Sequence, residues 1–147
     1  MSTDRQRLSL TVIWFLGLLA SIGVVLSYSF VTNDAAIPLL LWSDVALVLK
    51  SVLAIYAAYL GGIIVFWFAK PFRAHRPGPR DSIRFGIALV GTFIVNGAYI
   101  AGLSIGYWDR AARLGDIIDA RNLVFWLSFV VAPANLYFFG VGSPRTP

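Results

Sequence analysis

The sequence predicts an all-α membrane protein: four transmembrane helices, both termini cytoplasmic, packed as an antiparallel helical bundle. Three observations predict it. The chain of 147 residues is 59% hydrophobic and 13% charged, with a mean hydropathy of +0.77, outside the range of soluble domains. Four apolar stretches, residues 8–31, 45–69, 85–107 and 123–140, each meet or approach the roughly 20 residues that cross a hydrocarbon core. The basic residues crowd to one side of the alternation these stretches define. The links are short, so the chain is expected to be one domain over 1–147. The apolar runs are continuous rather than alternating, which argues against a membrane β-barrel.

The first stretch is too long for a signal-peptide core of about 7–15 residues, and no small-residue cleavage site follows Val31. It is expected to remain as an anchor. It carries Gly17 with Ser21, and Gly23 with Ser27, as modest small-residue pairs. The first outer loop contains Ala35-Ala-Ile-Pro-Leu-Leu-Leu-Trp42, apolar enough to suggest an interfacial segment or a protein contact.

The second stretch opens near Ser43 and Asp44, both suited to cap a helix. Lys50 follows Asp44 by six residues, about 9 Å along a helix and about 240° around it. Asp44 is therefore not its same-face partner. Lys50 can snorkel to the outer surface; alternatively it faces the helices, paired with an outer aspartate or lining a polar path. Ala54, Ala58 and Gly62 recur every fourth residue, which puts them on one face.

The link to the third stretch holds Lys70, Arg73, Arg76, Arg80 and Arg84, with Pro71, Pro77, Gly78 and Pro79 to prevent a continuous helix. With Arg5, Arg7 and Arg145 it gives one side eight cations, against Lys50, Arg110, Arg113 and Arg121 on the other. Cations favour the cytoplasmic flank, so the link and both termini are expected there. The link reads as a topology signal near anionic headgroups, or as a dock for an acidic cytoplasmic protein; nucleic acid is a poor fit, because the link offers no fold to read bases. Asp81 or Ser82 can cap the third span.

The third stretch carries Ala98, Gly102 and Gly106 at the same spacing as the second. Close backbone approach through small residues drives helix association in lipid. The two stripes suggest either that the second and third spans pack together as a hairpin, or that they associate with other copies. Asn96 lies near the middle of this span and should bond a neighbouring helix.

Between the third and fourth spans, Ala111, Leu114, Ile117 and Ile118 suggest a short surface helix within residues 109–121. The fourth span is bulky, with Phe125, Trp126, Phe129, Tyr137, Phe138 and Phe139. Pro133 should kink it, and Asn135 is placed to bond carbonyls that Pro133 frees. Trp14, Tyr28, Trp42, Trp67, Tyr107, Trp108 and Trp126 fall near span ends, as interfacial aromatics do. Trp14 and Trp126 lie slightly inside and can pack between helices instead.

Composition also excludes activities. There is no cysteine and no glutamate, and the one histidine, His75, falls in the basic link. Thiol chemistry, histidine-ligated haem and a catalytic triad are excluded, and no metal or cofactor is expected. No glycine loop followed by lysine is present to cradle a phosphate. The expectation is a non-catalytic integral membrane protein of a bacterial inner membrane. It would act as a subunit, sensor or scaffold of a larger complex, partnered by lipid, by copies of itself or by other membrane subunits. The alternative is a homo-oligomeric pore or membrane-disrupting protein of the holin kind, whose polar face only Lys50, Asn96, Asn135 and the hydroxyl residues could supply.

Overall fold

A computed structural model describes residues 3–68, 79–108 and 114–139. Among them the chain forms four helices: α1 (Thr3–Ser27), α2 (Trp42–Phe68), α3 (Pro79–Trp108) and α4 (Leu114–Phe139). The first three contain segments long and apolar enough to cross a membrane; α4 reaches that length only if its two arms, bent by 58°, count as one span. Large apolar side chains lie exposed along every helix, Leu16, Leu53, Phe93 and Trp126 among them. A surface of that kind is suited to lipid.

Several boundaries differ from the sequence reading. α1 ends at Ser27, and residues 28–41 instead fold back on themselves. Thr32 and Pro38 bridge, the Leu39 amide donates to the Val31 carbonyl, and Asn33 Oδ1 accepts from the amides of Ala35 and Ile37. The polar side chain of Asn33 thus builds the turn that ends the helix. α2 starts at Trp42, with the amides of Asp44 and Val45 donating to the Leu41 carbonyl. Ser43 and Asp44 are therefore inside the first turn rather than capping it, and Asp44 meets the positive end of the helix dipole. α3 begins at Pro79, ahead of Asp81 and Ser82, where a missing amide costs nothing. The separate surface helix expected within 109–121 is not seen: residues 114–121 are the start of α4, with Ile117 and Ala120 buried. Residues 109–113 lie outside the described residues.

Packing follows an unexpected order. α1 contacts α2 and α3, and α4 contacts α3 and α2. Among the described residues α2 and α3 meet through Tyr56 with Asn96 and Tyr99 but do not pack as a hairpin along their small-residue stripes, which corrects that expectation. The reason is on α3: its small residues serve α4. A Cβ on Gly102 would sit 2.6 Å from Ala120 Cβ, and one on Gly91 would sit 3.1 Å from Val131. Ala98 is half-buried and Gly106 buried on the same helix. The stripe on α2 is left outside: Ala54, Ala58 and Gly62 are all exposed. What α2 buries is its other face, including Val45, Val52, Tyr56 and Ile63.

The α4 bend separates an arm at Asp119–Leu127 from one at Val131–Phe139. Pro133 removes the amide that would bond the residue 129 carbonyl, and its ring crowds that carbonyl. The break therefore falls one turn before the proline.

Candidate functional site

Three groups of polar contacts hold the helices, and among them they engage the buried Arg7, Ser21 and Asn96. The central group joins three helices. Tyr56 Oη donates to Asn96 Oδ1 at 2.8 Å and, its one proton being used there, accepts from Ser21 Oγ at 3.1 Å. Asn96 Nδ2 donates to the Thr92 carbonyl in its own helix. Asn96 thus bonds a neighbouring helix as its position suggested. The seat is Gly17: a Cβ there would overlap the Asn96 amide and come within 3.1 Å of Tyr56 Oη. The Gly17–Ser21 pair is therefore what admits the amide and the phenol. Trp14, one turn away, is 1% exposed, stacks on Tyr59 at 4.2 Å and meets Tyr56 edge-on at 5.9 Å. It packs between helices. Trp126, the other ambiguous tryptophan, is 70% exposed.

The second group closes the ends of α1 and α3. Tyr28 Oη donates to the Leu103 carbonyl at 2.6 Å, and Tyr107 Oη donates to the Val24 carbonyl at 3.3 Å. The two rings stack at 4.3 Å. Tyr28 is buried, so it joins helices rather than floating at an interface. Trp42 and Trp108, near the same end, are exposed.

The third group gathers the opposite end. Arg7 Nε donates to the Phe138 carbonyl at 3.0 Å, and its guanidinium lies 4.7 Å from the Phe66 ring centroid. The Phe138 carbonyl belongs to the last turn of α4, which lacks helical donors and favours a cation. Asp4 lies 3.5 Å from Arg7. Arg84 donates to Tyr137 Oη at 2.6 Å and covers its ring at 4.5 Å. Counting Arg7 only as a topology charge, and Arg84 as a topology or docking charge, missed this role. The available signal was an arginine directly before the first apolar stretch, at the same end as the aromatic run 137–139. Of the other proposed docking cations, Lys70, Arg73 and Arg76 lie outside the described residues. Arg80 falls in the first turn of α3.

What the three groups leave over is a groove of about 1000 Å³ between α2 and α4. One wall is the uncovered stripe Ala54, Ala58 and Gly62; Lys50, Arg121 and Asn135 also line it. Lys50 and Arg121 are exposed, and neither makes an ion pair among the described residues. Asn135 is 8% exposed, and neither amide atom has a partner among the described residues. The idea that it bonds carbonyls freed by Pro133 is thus corrected. The groove is of ligand-site size, mostly apolar with a few polar groups. Of the intramembrane polar residues singled out in the sequence, Lys50 and Asn135 meet here, while Asn96 is committed to the centre. The chain matches no known protein-family model, no curated protein and no solved structure.

Proposed function

We propose that this is a four-span integral membrane protein with both termini cytoplasmic, placed in a bacterial inner membrane as a non-catalytic subunit or scaffold of a larger complex. The observation that carries the reading is the α2–α4 groove. It combines a stripe of small residues at four-residue spacing, left exposed, with polar groups that the chain itself leaves unsatisfied. Small residues on a membrane helix allow another backbone to approach, and none of the four described helices takes that place. The first outer loop, the start of α2 and the fourth helix add exposed apolar surface through Phe30, Ile37, Trp42, Phe125 and Trp126. The orientation rests on the excess of cations at the end where Arg7 and Arg84 lie. The basic link 70–84 then faces the cytoplasm, available to anionic lipid or an acidic protein.

The pore reading has less behind it. Asn96 is spent on Tyr56, and the groove opens sideways between two helices with a largely apolar wall. Extraction in a gentle detergent followed by mass analysis separates the readings. A stoichiometric second protein and vesicles that hold their dye are the expected result. Copies of this chain alone, together with dye leakage, would sink the subunit reading.

A further inference from the structure

We infer that the α2–α4 groove receives a transmembrane helix of another protein, one that carries a carboxylate in its outer half. The inference deepens the subunit reading and rests on it. Three features of the groove point to the same occupant. The first is the exposed line of Ala54, Ala58 and Gly62. An acyl chain makes no use of such a line, whereas a helix backbone does. The second is charge: Lys50 and Arg121 open on the groove with no ion pair among the described residues, and a cation within a span is normally paired. The third is Asn135, 8% exposed with both amide atoms unpartnered among the described residues. Asn135 and Gly62 each precede the Phe66–Phe139 contact, at 5.5 Å, by one turn, so they share a depth. From Lys50 to that depth is about 18 Å of helix.

A lipid would answer the apolar wall and the cations but not Asn135, whose depth would meet the end of its tail. A second copy is disfavoured by symmetry. A twofold axis along the membrane normal would set Lys50 and Arg121 against the same cations at the same depth. A helix with a carboxylate near one end and a small polar residue about 18 Å farther along answers all three.

The test uses the full chain in phosphatidylcholine vesicles, labelled at one introduced cysteine, since the sequence has none. The probe is a synthetic leucine-rich membrane helix with alanine at every fourth position, one aspartate at the depth of Lys50 and one serine at the depth of Asn135. Its control has lysine in place of the aspartate. Energy transfer should show the aspartate probe binding about tenfold tighter than the lysine probe. Lys50→Gln with Arg121→Gln should erase that difference. Gly62→Leu should weaken the aspartate probe about tenfold, and a Cβ on Gly62 meets nothing within 4 Å, so the fold should tolerate it. Leu53→Phe, on an exposed part of α2 outside the groove, should change nothing. Equal binding of the two probes, or indifference to Gly62→Leu, would overturn the inference. In native membranes, a Gly62→Leu chain that keeps the partner of the wild type defeats the groove but not the subunit reading. A wild type that carries no partner defeats both. A lipid lost on Gly62→Leu while the helices bind no better than each other also overturns it.

Discussion

Gly17 is the position where a single carbon decides the most. A Cβ there would overlap the Asn96 side chain, with Asn96 Cγ at 2.6 Å, and Asn96 is in turn held by Tyr56. Gly17→Ala is expected to destabilise the protein by about 1–3 kcal/mol, the usual cost of overpacking. Thermal unfolding in detergent reads it. Gly62→Ala, with open space around the added carbon, should be neutral or slightly stabilising in the same assay, because alanine is the better helix former. Tyr56→Phe keeps the ring contacts with Trp14 and Tyr99 but leaves Asn96 Oδ1 and Ser21 Oγ without their shared hydroxyl. A loss of about 0.6–1.7 kcal/mol is expected, from the average to the largest value measured for hydrogen bonds between membrane helices. Combined with Asn96→Leu it should be less than additive, since both remove one bond. Additive losses in that cycle would mean that the Tyr56–Asn96 contact contributes nothing.

At the scale of the helix, α4 carries two separable features. Its bend is attributed to Pro133, so Pro133→Ala should straighten it. Spin labels at Asp119 and Leu136, both exposed, should then move apart by roughly 3 Å at 1.5 Å per residue. An unchanged distance would assign the bend to packing against α3. Its last turn is tied by Arg7 to the Phe138 carbonyl. Arg7→Gln should raise hydrogen exchange over residues 136–139 while leaving the first arm protected. The existence of the helices was legible in the sequence because long apolar runs admit little else in lipid. Their ends were less legible. The cap at α2 lies on the Leu41 carbonyl, a backbone group that residue type does not announce. The start of α4 lies in a mixed run of charges whose helical spacing reads as a separate surface helix rather than as the beginning of the last span. The kink at Pro133 was readable because the missing amide is a property of the residue alone.

For the whole molecule, which helix meets which was not legible. Equal stripes on α2 and α3 suggested mutual packing, yet α3 spends its small residues on α4, at Gly102 and Gly91. A one-dimensional pattern shows that a face can be approached, not what approaches it. Of the candidate site, Lys50, Ala54, Ala58, Gly62 and Asn135 were recognisable as unusual residues, but their meeting in one groove depends on α2 and α4 being neighbours. Arg121 was noticed only as an outer charge. The proposed orientation can be checked by single-cysteine labelling of intact cells with a membrane-impermeant maleimide. Ile37→Cys, at an exposed position of the first outer loop, should react without lysis, and Arg73→Cys only after it. Reaction at both sites in intact cells would refute the arrangement.

The contact from Arg7 to Phe138 spans 131 residues of sequence, and that separation has a meaning in time. During synthesis the first helix is made with its arginine, and the carbonyl it will bond is made more than a hundred residues later. A chain stopped short of Phe138 leaves that guanidinium with Asp4 and the Phe66 ring but without this carbonyl. The bond thereby closes the first helix onto the last, and forms only once both have been made.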